Sequence, residues 1–386
     1  MKTRLHFFPL ALTTLIAARL SSSAQSWVPA NLPHQQWQAI ACSADAKTLI
    51  AAALNGGVYV STNSGNAWFA AEVPAGLAWY TVSASSDGTK LLAAVYGGLI
   101  CVSTNSGAVW TTNGDLAATW TSAAMSSDGT KILLGGFDGT LMNSTDSGAT
   151  FTNYPGTPNN LWSGVASSAN GSNLVAVAGG GQQPGPIYVS TNAGQSWTLS
   201  GAPSQKWQCV ASSASGARLC AGVWGGVIYT SANSAVTWNP SGSPSAYWRG
   251  ISSSSDGSKL AAVDATSTGL IYLSTNAGSL WTTSSVPALS WSFIASSADG
   301  TRLAATSVFG SVYLFGLSGP TLTITRSGAN VVLSWPASAT TFHLQQSPGI
   351  APTVWAPVTN VPADAGGSSQ VTLPASGRTF FRLNGS

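Results

Sequence analysis

Short apolar runs recur along most of the chain, separated by turns of Gly, Ser, Asn and Asp. Leu91-Leu92-Ala93-Ala94-Val95 and Leu99-Ile100-Cys101-Val102 are two such runs, joined by a Gly-rich bend, and both read as strands. Ahead of the first run stands Ser86-Asp87-Gly88-Thr89-Lys90, and the same turn returns at Ser127–Lys131, Ser255–Lys259 and Ala298–Arg302. Asp-Gly between strand patterns predicts a hairpin, because Gly tolerates positive φ and Asp bonds the nearby backbone. The pattern repeats. Trp37, Trp79, Trp120, Trp162, Trp207, Trp248 and Trp291 are spaced 42, 41, 42, 45, 41 and 43 residues apart. That period fits a four-stranded β-propeller blade, with each Trp on the first, innermost strand.

The third strand of each unit ends in the most specific motif of the chain, Ser61-Thr62-Asn63-Ser64-Gly65-Asn66-Ala67-Trp68. It recurs at 103–110, 144–151, 190–197, 231–238 and 274–281. The motif resembles the Asp box, S-x-D-x-G-x-x-W, of the bacterial neuraminidase repeat, sortilin-like and sialidase-like propellers, and the resemblance covers residues 26 to about 317. It implies an all-β, seven-bladed propeller over residues 25–317. The Asp survives only as Asp146; Asn63, Asn105, Asn192, Asn233 and Asn276 take its place, and Ala235 replaces the Gly of the fifth copy. Asn bonds the turn backbone and tolerates the left-handed conformation, so these departures leave the hairpin intact. The seventh unit lacks a box. Trp27 precedes Trp37 by ten residues, the spacing that separates Trp197 from Trp207. An N-terminal strand carrying Trp27 is therefore expected to close blade seven and remove the open sheet edges.

The tryptophan period stops at Gly319-Pro320. Segments 321–326, 330–335, 341–346, 354–359, 369–373 and 379–383 read as short strands. Residues 318–386, ending near Phe380-Phe381-Arg382-Leu383, are similar to a small fibronectin-III-like module appended to secreted bacterial proteins. A complete sandwich has roughly 100 residues, so this one is short. An attachment or sorting module and a simple spacer are both open at this stage.

Composition narrows the functional field. Residues 1–24 carry Lys2 and Arg4, an apolar run over 7–18 and the small residues Ser22-Ser23-Ala24, which is the layout of a cleaved secretory signal. The run is shorter than the roughly 20 apolar residues of a spanning helix, so no membrane span is expected and the product is secreted, periplasmic or on the cell surface. Loss of Lys2, Arg4 and Arg19 leaves 11 basic against 11 acidic residues. A formally neutral chain offers no basic stripe for nucleic acid or for an acidic membrane surface. The repeats are also similar to photosystem II assembly-factor propellers, but the basic patch expected of that group is missing.

Catalytic chemistry has little material. The resemblance raises sialidase activity, which needs three arginines, a tyrosine with a glutamate, and an acid/base aspartate. Arg218 and Arg302 occupy the Lys90 position, on the face opposite the expected site; Arg249 alone remains, and Glu72 is the only glutamate. A two-carboxylate glycosidase is the runner-up reading. Its candidates, Glu72, Asp115, Asp138 and Asp264, are scattered over loops of different blades. His34 and His343 lie in different domains, no cysteine spacing suits zinc, and no cofactor or metal is expected. A turn centred on Ala214 and Ser215 would bring Cys209 opposite Cys220, and the alternatives there are a disulfide and two buried thiols.

The seven tryptophans should ring the channel mouth, with Tyr96, Phe137, Trp224 and Phe309 in bends on the same face. Uncharged aromatic surface suits a neutral glycan or a protein segment; packing between the blades is the alternative role for the repeated Trp. The longest insertion, residues 179–186, lies beside this face. A non-catalytic binding or scaffold propeller is therefore expected, a monomer, with Trp162, Trp207, Trp224, Tyr96, Phe137 and Arg249 as candidate contacts for an unknown glycan or protein.

Overall fold

The computed structural model describes residues 27–113, 118–154, 156–179, 183–316, 322–336, 342–347, 355–365, 368–374 and 379–385. The expected signal segment 1–24, Asp115, part of the 179–186 insertion and the junction at 317–318 lie outside the described residues.

The first unit shows how sequence becomes blade. β1 (Trp27–Pro29) is followed by β2 (Trp37–Cys42), β3 (Leu49–Ala53), β4 (Val58–Ser61) and β5 (Phe69–Ala70). β2 to β5 form an antiparallel meander in chain order. β3 is buried along its whole length, as its run of Leu, Ile and Ala requires, whereas β5 is exposed. The same order holds in the units that follow. The sheet containing Trp120–Met125 has three strands, with a single Asn143–Thr152 bridge where a fourth would lie. Leu219–Gly226 is long enough to pair with Ala246–Ser253 of the next unit, so those two units share one continuous sheet.

The inner strands succeed one another around an axis, and two devices close the circle. β1 pairs with Val312–Phe315, setting Trp27 opposite Phe315, and Trp27 packs against Trp291 and Phe315. At the turn face, Ala44 N–H donates to Ser86 O, Ser86 to Ser127, Ser127 to Ala169 and Ala169 to Ala214. Ala214 donates to Ser255, Ser255 to Ala298, and Ala298 back to Ala44 O at 2.8 Å. These bonds make an endless ring of backbone contacts between blades. Side chains clip the same seams: Lys90 Nζ donates to Asp128 O, Lys131 to Asn170 O, Lys259 to Asp299 O, and Arg302 to Asp45 O.

The Asp-box turns keep the expected hydrogen bonds. Ser61 Oγ accepts from Gly65 N–H at 2.9 Å and donates to Asn63 Oδ1, which accepts Ala67 N–H at 2.8 Å. Asn105, Asp146, Asn192, Asn233 and Asn276 make the same acceptor contact. The left-handed residues are the next two, Ser64 and Gly65, with φ of 63° and 81°. Asn thus substitutes for Asp through its carbonyl oxygen. In the fifth copy Ala235 holds φ 68° despite its Cβ.

Beyond the circle, Thr323–Ser327, Asn330–Pro336, Ser368–Pro374 and Ala363–Asp364 form one sheet, and Ala356–Pro357, Phe342–Ser347 and Phe380–Gly385 another. Leu333, Trp335 and Val371 of the first share a core with Leu344 of the second. Among the described residues no helix is long and apolar enough to cross a membrane.

Candidate functional site

The seven periodic tryptophans are fully buried. Trp162 and Trp207 therefore present no surface to a ligand, and the expectation that they ring an aromatic mouth is corrected. Each packs edge-on against the tyrosine of its own third strand, Tyr188 and Tyr229, at centroid distances of 6.0 and 5.3 Å. Trp162 Nε1 also donates to Gly139 O of the preceding blade. They are wedges between sheets, the role that an apolar ring repeated at every seam performs best.

The residue after each Trp behaves differently. Trp37 pairs with Ala53, but Ala39 pairs with Ala52, and the same one-residue slip follows every periodic Trp. This is a β-bulge, which leaves one residue unpaired and re-aims its side chain. Gln38, Tyr80, Thr121, Ser163, Gln208 and Arg249 are aimed in this way into a central chamber of about 450 Å³. The walls below them are mostly Ala, Ser and Val. Ser292 occupies the bulge of the last blade.

Two kinds of residue fill this position. Thr121 Oγ1 donates to Trp162 O, Ser163 Oγ to Trp207 O, and Ser292 Oγ to Trp37 O, each at 2.7 Å. A small hydroxyl here stitches one blade to the next. Gln38, Tyr80, Gln208 and Arg249 are larger and form no such stitch. Among the described residues, Arg249 is the single cationic side chain lining the chamber, and no Asp or Glu lines it. Among the described residues the one ion pair is Lys47–Asp45, on the opposite face.

At the mouth, Leu54, Ala78, Tyr80, Tyr96, Thr121 and Phe137 enclose an apolar pocket of about 280 Å³. Tyr80, Thr121 and Phe137 belong to both cavities, so the pocket opens on the chamber. Tyr96 is 42% exposed and tilts against Tyr80 at 5.4 Å. Trp224 sits in the extended strand Leu219–Gly226, half-buried, edge-on to exposed Tyr247 at 5.2 Å. Of the residues picked from sequence, Tyr96, Phe137 and Arg249 are brought together around the connected cavities. Trp224 stands in a separate aromatic pair. Sequence reasoning missed Tyr80, Gln38 and Gln208; the signal was available, because they break the hydroxyl pattern at the bulge position.

Among the described residues the candidate carboxylates do not assemble. Glu72 and Asp138 are exposed, and Asp138 accepts Thr140 N–H at 3.3 Å. Asp264 is half-buried and holds its own loop through Thr266 N and Oγ1. On the turn face, hydroxyl bonds from Ser126 and Ser297 hold Asp128 and Asp299 down to about 2, with help from backbone N–H groups. Such groups stay ionised and serve the turns.

The cysteine pairing is also corrected. The turn spans Ser213 to Arg218, closed by Ser213 N–H to Arg218 O at 2.8 Å, so the register sets Ala211 opposite Cys220 and Cys209 opposite Gly222. Cys209 and Cys220 are free thiols on a diagonal. A Cβ at residue 222 would come within 2.8 Å of Cys209 Sγ, so Gly222 makes room for it. Burial pushes the Cys209 and Cys42 thiols up to about 12, which keeps them protonated and poorly nucleophilic.

No family model matches the chain, and no curated protein matches it. Solved structures that it resembles are β-propellers. YCF48 from Cyanidioschyzon merolae is 14% identical, with 75% of this chain and 98% of that chain covered at a TM-score of 0.57. The Cps50 (Swd1) β-propeller domain of Myceliophteria thermophila is 14% identical over 76% and 100%, with a TM-score of 0.61. The GH74 xyloglucanase from Xanthomonas campestris is 16% identical over 81% of this chain but 59% of its own, with a TM-score of 0.60. At these identities the likeness establishes the propeller fold.

Proposed function

We propose that the chain is an exported, non-catalytic binding propeller that docks a segment of another protein on the face bearing Tyr96, Phe137 and Arg249. The observation that carries the reading is the make-up of the linked cavities. They are open and aromatic at the rim, with a cation and two glutamines inside and, among the described residues, no carboxylate in either lining. Acid/base cleavage of a glycosidic bond needs two carboxyl groups flanking it, and the described lining of neither cavity supplies one. Recognition of a neutral sugar draws on several polar side chains around the ring hydroxyls. A pocket of Leu54, Ala78, Tyr80, Tyr96 and Phe137 fits an apolar side chain better. YCF48, one of the structural neighbours, has been solved bound to D1 peptide, which gives a precedent for this fold. Export rests on the layout of residues 1–24, and the C-terminal pair of sheets then serves as an attachment module.

The test is a peptide array and a polysaccharide array probed in parallel with the mature protein and with Tyr96→Ala. Peptide signal that falls at least tenfold in the variant supports the reading. Polysaccharide signal alone, or peptide signal indifferent to Tyr96, refutes it.

A further inference from the structure

A repeat protein supplies its own control for what a position does when it is only structural. At the bulge after each periodic Trp, that control is the small hydroxyl of Thr121, Ser163 and Ser292, which bonds the next blade's Trp carbonyl. Tyr80 holds the same position in its blade. It forgoes that bond for a ring turned to the mouth. There it meets Tyr96 at 5.4 Å and a tilt of 43°, and Phe137 of the following blade lines the same pocket. Neither the Tyr80 nor the Tyr96 hydroxyl has a hydrogen-bond partner among the described residues, whereas the Tyr59 hydroxyl accepts from Gln35 Nε2. The described lining of the pocket carries no charge. Joining two blades does not require three rings gathered at one point with two phenols left over.

The backbone at the rim narrows what can enter. Leu54 N–H donates to Gln36 O, Tyr96 N–H to Ala78 O and Phe137 N–H to Thr119 O. Leu54–Ala78 and Tyr96–Thr119 also form bridges from one unit to the next. These donors are spent inside the fold, so an incoming β-strand, which needs a ladder of main-chain bonds, finds none of them to pair with. An amphipathic helix needs a long apolar groove for anchors spaced along several turns, and a pocket of about 280 Å³ admits only one or two side chains. A polyproline II segment has neither requirement. It makes no internal hydrogen bonds, its carbonyls stand out as acceptors, and its prolines carry no N–H to satisfy. We propose that the pocket of Leu54, Tyr80, Tyr96 and Phe137 docks a proline-rich segment of the partner in that conformation. The pyrrolidine rings pack on Tyr96 and Phe137, and the Tyr80 and Tyr96 hydroxyls donate to carbonyls of the segment. Such a segment is extended and stiff before it binds, so little chain has to be ordered. The proposal rests on the peptide-binding reading above and names the residue type and conformation that the face selects.

The test is isothermal titration of the mature full chain with two peptides blocked at both ends, N-acetyl-(Pro-Pro-Gln)3-amide and N-acetyl-(Ala-Leu-Gln)3-amide. The proline peptide is expected to bind at least tenfold more tightly. Tyr96→Phe keeps the ring and loses the hydroxyl, and should weaken that binding about three- to tenfold, the worth of one hydrogen bond. Tyr80→Thr installs the side chain that Thr121 shows at the same position. It should lower proline-peptide binding at least tenfold while the melting temperature stays level or rises. A Tyr80→Thr variant that binds the proline peptide as the parent does would overturn the proposal. Equal binding of the two peptides, with both lost in Tyr96→Ala, would overturn the proline assignment and leave peptide docking intact. Binding of neither peptide would overturn the proposal, and polysaccharide signal from the same protein would overturn the peptide reading with it.

Discussion

At the scale of single residues, the molecule spends its few charges on turns. Asp128, Asp146 and Asp299 bind protons less readily in the folded state than in an open chain, because hydroxyl and backbone N–H groups point at them. Their contribution is whole above about pH 4, the range of a free carboxylate, and is lost as pH falls through about 2. A flat melting temperature from pH 7 to 5, with a decline between pH 4 and 2, is the expected calorimetric profile. Asn170 already stands at the Asp128 position in the fourth blade and makes the same contacts to Ser168 and Ser172. Replacing Asp87, Asp128, Asp256 and Asp299 together by Asn should therefore preserve folding at pH 7 and flatten the acid limb; an unchanged limb would refute the assignment. The tryptophans divide in the same spirit. Trp207→Ala removes a fully buried wedge and should cost about 3–5 kcal/mol, whereas half-buried Trp224→Ala should cost clearly less. Urea denaturation of the two variants checks the ordering.

At the scale of the element, the Asp-box hairpin hangs on one hydroxyl. Ser61 is fully buried and its Oγ accepts Gly65 N–H, so Ser61→Ala strands a buried donor and should cost about 1–3 kcal/mol. Asn63→Asp should be near neutral, since Asp146 fills the same role. Comparing the denaturation midpoints of the two variants tests both statements. The elements were also where the sequence was most readable. Tryptophan period, Asp-Gly turns and box motif fixed the strand order because each is a local signal repeated many times. Trp27 could be matched to the missing box strand by its spacing alone. What escaped was any feature that depends on register. A one-residue bulge after each Trp leaves no trace in the hydrophobic pattern, yet it decides that Gln38 and Tyr80 face the axis while the Trp is sealed away. The cysteines failed for the same reason. A turn of Ser213 to Arg218 shifts its hairpin by two residues from the one centred on Ala214 and Ser215, and no residue type announces the difference. Of the candidate site, Tyr96, Phe137 and Arg249 were legible as loop aromatics and a lone cation; their convergence on one cavity was not.

At the scale of the whole molecule, closure governs stability. Removing residues 25–29 takes away the partner of Val312–Phe315 and the Trp27 packing against Trp291. An exposed sheet edge then invites association. Loss of a single cooperative melting transition, or aggregation on heating, is expected for that deletion, and an unchanged melt would contradict the closure. The backbone ring through Ala44, Ser127, Ala214 and Ala298 gives a sharper readout. Its amides should share one high protection against hydrogen exchange in the parent and fall together in the deletion, because a ring opened at one seam loses its constraint at every other. The same closure sets an order of events in time. β1 is synthesised near the beginning of the chain, and its partner strand arrives almost three hundred residues later. Blades built from neighbouring hairpins can form as they emerge, but Trp27 must wait unpaired until residue 315 exists. Contacts between such distant parts of a chain form slowly. The N-terminal strand is thus the first part of the propeller to be made and the last to find its place, and throughout that interval a strand from another copy of the chain can compete for the open edge of Val312–Phe315.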